Sequence, residues 1–238
     1  LVKTTIAGTV IPNNYSGAFN KAYTLYPEIP RGMLEAVAFC NTHFQNIQHA
    51  SATPESCMGI PNAYGVMGLT LDGQHYFENN LVTVSDLAGY SVEQIISDPE
   101  KNILAYAAAF AKLKKVLHIN SMDLESNVTV WRLLSELPKE KETQLFALST
   151  QLWGYVQFMR NADYQQQYGF PNYDIDLDKI FGAGNIPVLS AASITITDES
   201  AFDNSGHQYK SAGIAAGVAS ADYSPAIWNP AASCIYST

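Results

Sequence analysis

Asp98-Pro99-Glu100-Lys101-Asn102-Ile103-Leu104-Ala105-Tyr106-Ala107-Ala108-Ala109-Phe110-Ala111 is the stretch on which the fold turns. Asp98 is a residue type that caps helices, and Pro99 suits a first helical position. The Ala, Leu and Lys that follow favour a helix of about 20 residues, reaching His118. Reading upstream, Ser91 with Gln94 has capping-box spacing and opens a short helix through Ile95 and Ile96. Ser16 can cap a helix over 16–26. Pro27 and Pro30 bracket a turn, with Pro30 at the first position of a second helix. That helix carries Leu34, Val37 and Phe44 on one stripe, and Asn41 falls on the same stripe. Downstream, two further helices are expected over 128–137 and, after Pro138, over 140–160.

Two regions break this pattern. Segment 51–80 is rich in Gly, Pro, Ser and Asn with single aromatics, and reads as a loop region where binding residues concentrate. After Arg160, Ser193-Ile194-Thr195-Ile196-Thr197 alternates as a short strand would, and from Asn204 Ser, Ala and Gly dominate. The expectation is a mainly α protein. A helical domain spans 1–165, a mixed, strand-containing extension 166–203, and a Ser/Ala/Gly-rich linker 204–238.

Composition removes several function classes. The chain has 238 residues, and 13 Lys and Arg against 22 Asp and Glu give a net charge of −9. Without a basic stripe there is nothing to neutralise phosphates, so no nucleic-acid partner is expected. Hydrophobic residues at 47% supply a core, which excludes global disorder. No apolar run approaches the roughly 20 residues needed to cross a bilayer. The first 13 residues lack the charged-then-apolar order of a signal peptide, and the chain starts with Leu1. That fits a removed leader or an excised piece. Low charge with abundant Tyr, Asn, Ser and Thr suits a secreted or cell-envelope protein.

Metal and cofactor chemistry lack their residues. His43, His49, His75, His118 and His207 form no HExxH pair, and there is no CxxC, so no metal site is expected. GxSxG, Walker and GxGxxG motifs are absent as well, and no cofactor is expected. Cys40, Cys57 and Cys234 cannot all pair within one chain. Cys40 and Cys57 either bridge or stand as buried free thiols.

Three segments together carry a family likeness: Leu34 to Phe44, Asn62-Ala63-Tyr64-Gly65-Val66-Met67-Gly68-Leu69, and Asn102 to Ala108. Their order and spacing resemble the lysozyme-like lytic transglycosylase domain over about residues 27–160. In that family a helix ends in Glu-Ser, a Gly-Leu-Met-Gln type loop floors the cleft, and an Asn-Ile opens a long helix. The resemblance implies a lysozyme-like helical fold and peptidoglycan glycan strands as partner. It places Asn41, Thr42, Tyr64, Gly65, Met67, Asn102 and Tyr106 at a glycan-binding cleft. Here Asn41 stands where the family has its catalytic Glu, Thr42 replaces Ser and Gly68 replaces Gln.

The first departure decides the chemistry. Breaking a glycosidic bond requires a titratable acid to protonate the leaving oxygen, and an amide has no such proton. Asn41 is therefore read either as a sugar contact or as a tie holding the 51–80 loop. Among other carboxylates, Glu55 is the candidate substitute, since loops can swing a carboxylate into a cleft. Asp72 lies in the same loop region, Glu78 and Asp86 have only nearness in sequence, and Glu35, about 120° around the helix from Asn41, is expected to face solvent. Tyr64 could stack on a sugar ring or be structural, and Asn102 could line the cleft or cap its helix.

A second resemblance lies at the end of the chain. Tyr223-Ser224-Pro225-Ala226-Ile227-Trp228-Asn229-Pro230-Ala231-Ala232-Ser233-Cys234 looks like the junction before the zinc domain of secreted bacterial N-acetylmuramoyl-L-alanine amidases, and the N-terminal region looks like their front half. Those enzymes cut between N-acetylmuramic acid and L-alanine, and the resemblance implies a downstream amidase domain. The function expected is a peptidoglycan-engaging, non-catalytic module of a secreted wall hydrolase. The alternatives are a glycan-cleaving enzyme using Glu55 and a structural domain without glycan affinity.

Overall fold

Asp98 does cap the central helix. Its Oδ1 accepts the backbone N–H groups of Glu100 and Lys101 at 2.9 and 3.2 Å, and Pro99 occupies the first turn, where a missing N–H costs nothing. The computed structural model describes residues 14–49, 61–72, 77–139 and 147–191. In chain order these form α1 (Ser16–Leu25), α2 (Met33–Thr42), β1 (Asn62–Tyr64), β2 (Leu69–Leu71), α3 (Asn80–Ala88), α4 (Val92–Ser97) and α5 (Pro99–Val116). They continue with α6 (Leu124–Leu134), α7 (Ser149–Arg160), α8 (Ala162–Tyr168), α9 (Leu177–Phe181) and α10 (Ile186–Leu189). The protein is mainly α, as its sequence implies.

Helix α5 is the axis. From Asn102 to Ala111 all but Ala108 are buried, because α1, α3, α4 and α6 pack around it. The small side chains of Ala105, Ala107 and Ala109 let those helices approach closely. Lys114 and Lys115 in the last turn complement the negative end of the helix dipole. Helix α7 closes the other side against α2. There Phe39 and Phe158 meet with ring centroids 5.1 Å apart, and Tyr164, Tyr168 and Phe170 extend the aromatic cluster.

Several boundaries differ from expectation for local reasons. Ser16 is already inside α1, with Tyr15 in the capping place. Pro30 belongs to the preceding turn, whose carbonyl accepts the Met33 N–H at 3.3 Å, so α2 starts three residues later than expected. The capping box of Ser91 and Gln94 forms as read. Helix α6 begins four residues early because Asp123 caps it, its Oδ1 accepting the Ser126 N–H at 2.7 Å. Helix α7 is described from Ser149 onward, and 140–146 lie outside the described residues.

The stretch read as loop contains the sheet and ends where helix α3 begins. Strands β1 and β2 pair antiparallel, with Asn62 opposite Leu71 and Tyr64 opposite Leu69. Helix α3 follows, and its Asn80 is spent on neighbours: Oδ1 accepts the Thr70 N–H at 2.7 Å and Nδ2 donates to the Leu134 carbonyl at 2.9 Å. Its Asn, Thr, Val, Ser and Asp are weak helix formers, so packing on α5 and β2 makes this helix rather than propensity. In the extension, residues 166–191 are short helices and turns. The strand expected at 193–197 and the linker from 204 lie outside the described residues.

Glu35 corrects the expectation of a solvent-facing side chain. It is 6% exposed, and its Oε2 accepts the Tyr23 hydroxyl at 2.5 Å. That hydroxyl oxygen in turn accepts the N–H groups of Gly32 and Leu34 at 2.9 and 3.2 Å. Burial raises the Glu35 carboxyl from 4.5 to about 7, although the Tyr23 hydrogen bond and the Arg31 charge pull the other way. The 120° offset from Asn41 holds, but α2 is buried on more than one face.

Candidate functional site

Four residues, Gly65-Val66-Met67-Gly68, join β1 to β2, and side chains from two helices hold them. Asn102, in the first full turn of α5, accepts the Met67 N–H on Oδ1 at 2.8 Å. Its Nδ2 faces the carbonyls of Tyr64 at 3.4 Å and Ile95 at 3.3 Å. Thr42 at the end of α2 places Oγ1 2.6 Å from the Val66 carbonyl and 2.8 Å from that of Ala38, its one proton serving both. The Asn41 Nδ2 donates to the Met67 carbonyl at 3.1 Å, and its Oδ1 accepts the Tyr155 hydroxyl from α7 at 2.9 Å.

Two glycines make this approach possible. Gly65 has φ +72, and a Cβ there would stand 2.1 Å from the Asn102 Nδ2. Gly68 has φ +65, and a Cβ there would stand 2.8 Å from that of Asn41. Both need the left-handed region that only glycine enters without strain. The β1 end is fixed from outside as well: the Gly65 N–H donates to the Ile47 carbonyl at 2.8 Å.

Asn41, Thr42, Tyr64, Gly65, Met67 and Asn102 thus meet at one place, and Tyr106 lies one turn along α5 from Asn102. Six of these seven are buried, and only Asn41 is half-exposed. Tyr64 rests edge-on against His49, with ring centroids 5.2 Å apart. Asn102 and Met67 are wholly enclosed, so they shape the turn from behind. Asn102 does not cap α5, because Asp98 does. Glu55 lies outside the described residues. Asp72 is buried at the end of β2, where its Oδ2 accepts the Phe77 N–H at 2.6 Å. Cys40 is a free thiol packed near Gly154, pushed up to about 12 by burial. Among the described residues no group of three His, Cys, Asp or Glu could hold a metal, and no helix is long and apolar enough to cross a membrane.

Sequence reasoning missed the other wall. Gln151 and Tyr155, one turn apart on α7, face the same way. The Gln151 Nε2 donates to Glu136 Oε1 at 2.8 Å, and its Oε1 accepts the Ser135 hydroxyl at 2.7 Å. Burial raises the carboxyl of half-buried Glu136, against the Gln151 hydrogen bond and the Lys139 charge. Burial and then the Glu136 charge hold the Tyr106 and Tyr155 hydroxyls well above the usual phenol range. Trp131, fully buried, lies edge-on to Tyr155 at 5.2 Å, its Nε1–H without a partner. Only the spacing of Gln151 and Tyr155 hinted at this face; nothing local marks Glu136.

No family model, curated protein or solved structure matches the chain.

Proposed function

We propose that this chain engages the glycan strands of bacterial peptidoglycan as a lysozyme-like module of a secreted cell-wall hydrolase of the N-acetylmuramoyl-L-alanine amidase kind, without cutting them at Asn41. One observation carries the reading. Asn41 and Thr42 from the end of α2, and Asn102 from the start of α5, all bond the same glycine-bounded turn. These are the three segments on which the family resemblance rests, and they converge with the position of the family's acid on the exposed side. At that position both ends of the amide are engaged, by Met67 and Tyr155, and neither can protonate a leaving oxygen.

Incubation of the protein with purified sacculi, followed by sedimentation and mass spectrometry of the supernatant, tests this. The expected result is co-sedimentation without soluble muropeptides. Release of reducing or anhydro muropeptides would mean an active glycosidase. The burial of six of the seven site residues favours a second reading, a scaffold without glycan affinity. Protein left wholly in the supernatant would select it.

A further inference from the structure

The C-terminal end of α5 brings together unpaired cations and bare apolar side chains. Elsewhere the cations are engaged. Lys21, Lys101, Lys139 and Lys179 face carboxylates, Arg31 lies over the Tyr23 ring, and Lys114, Arg132 and Arg160 face oxygen acceptors. Among the described residues, Lys112 and Lys115 are the two lysines left without a partner. One turn from Lys112 on the same face stands Val116, 63% exposed, followed by Leu117 at 38% and Met122 at 45%. Apolar side chains exposed singly need no explanation, but these three all lie within 116–122, directly after the two unpaired lysines. The end is built rather than frayed. The Leu117 and Ile119 N–H groups donate to the Leu113 and Lys114 carbonyls, each at 2.9 Å. Buried Lys114 donates to the Ser121 carbonyl at 2.9 Å and to Asn127 Oδ1 at 2.6 Å, which pins the turn to α5 and α6. Residues 115–118 and 120–123 are exposed, so this end is a protrusion and not a groove.

We propose that this end of α5 docks on the surface of a bilayer carrying anionic lipids. Val116, Leu117 and Met122 enter the interface, and Lys112 and Lys115 meet the headgroup phosphates. The proposal stands independently of the glycan reading. Shape supports it, because a protrusion enters a soft surface whereas a peptide partner lies in a groove or along an edge. Charge supports it as well. The chain carries −9, yet three of its 13 Lys and Arg fall within 112–115. Glu28 and Asp123 answer the charge of Lys114, and Asp123 also caps α6 through the Ser126 N–H at 2.7 Å. Lys112 and Lys115 are left to face an outside anion, and each lysine near an anionic leaflet strengthens attachment about fivefold.

Co-sedimentation of the full chain with vesicles of phosphatidylcholine, alone or mixed with an equal part of phosphatidylglycerol, tests the proposal. The mixed vesicles are expected to carry the protein down, and raised salt to release it. Lys112→Gln and Lys115→Gln together should weaken attachment about thirtyfold. Val116→Asp should weaken it about tenfold. Val82→Asp, at a residue 40% exposed on α3, should leave it unchanged. All these positions are exposed, and circular dichroism checks that each variant folds. Protein left in the supernatant with mixed vesicles would overturn the proposal, as would equal attachment to phosphatidylcholine alone. Full attachment by the double lysine variant or by Val116→Asp would overturn it too, and so would an equal loss in Val82→Asp. If a labelled acidic amphipathic peptide bound this end while vesicles did not, the surface would belong to a protein partner and the proposal would fall. None of these outcomes bears on the sacculus assay, so the two readings fail separately.

Discussion

Replacing Glu35 by Gln isolates a buried proton. In the folded protein the carboxyl sits against Tyr23 and ionises near 7, whereas a free glutamate ionises near 4.5. Between those values the folded state binds one more proton than the unfolded chain, so wild-type stability falls as pH rises. The contribution is fully present below 4.5 and is gone above about 7. At about 1.4 kcal/mol per pH unit, the interval is worth about 3 kcal/mol. Glutamine fits the same space and still accepts the Tyr23 hydroxyl, but it has no proton to lose. The stability of Glu35→Gln relative to wild type should therefore rise by about 3 kcal/mol between pH 4.5 and pH 8, equivalent to roughly 6–12 °C in Tm. Urea unfolding of both proteins at four pH values across that window measures it. A difference constant to within about 0.5 kcal/mol would refute the reasoning. A difference of the opposite sign would show that the Tyr23 hydrogen bond outweighs burial and keeps Glu35 ionised.

Other consequences concern the turn. Gly65→Ala forces a left-handed alanine, about 1–2 kcal/mol, and drives a methyl into the Asn102 amide, breaking buried hydrogen bonds worth about 1–3 kcal/mol more; urea unfolding should show a loss of about 3 kcal/mol. Tyr155→Phe removes the hydroxyl bonded to Asn41 and should cost about 1 kcal/mol in the same assay, with no loss of helix content by circular dichroism. Asn41→Ala should leave the fold largely intact and weaken co-sedimentation with sacculi; unchanged co-sedimentation would remove Asn41 from the site.

The sequence makes the helices legible wherever a cap and an apolar period agree, as at Asp98-Pro99 and Ser91-Gln94. It hides α3, whose residues are poor helix formers held by β2 and α5. It also hides the hairpin, because three-residue strands are too short for alternation to show. Convergence of Asn41, Thr42, Gly65 and Asn102 follows from motif order, but the direction of their side chains does not. Asn102 reads equally well as cap or cleft until Asp98 is seen taking the cap. Glu35 was misplaced because helix geometry gives an angle from Asn41 and says nothing of what packs on that side. Tyr155 shows only its helical spacing from Gln151, since its partner Asn41 lies 114 positions away, and nothing local marks Glu136.

The way the turn is held also sets an order of assembly. Strands as short as β1 and β2 are not stable by themselves, and their turn demands two left-handed glycines. Helices α3, α4 and α6, near neighbours of α5 in sequence, can form on it first, whereas Asn102 must reach across 35 positions to the Met67 N–H and Tyr155 across 114 to Asn41. The hairpin is thus captured by a surface already made, and α7 closes over it last. In native-state hydrogen exchange the Met67 amide, held by Asn102, should open only when the turn parts from α5, so one amide in a connection of four residues becomes a reporter of global unfolding.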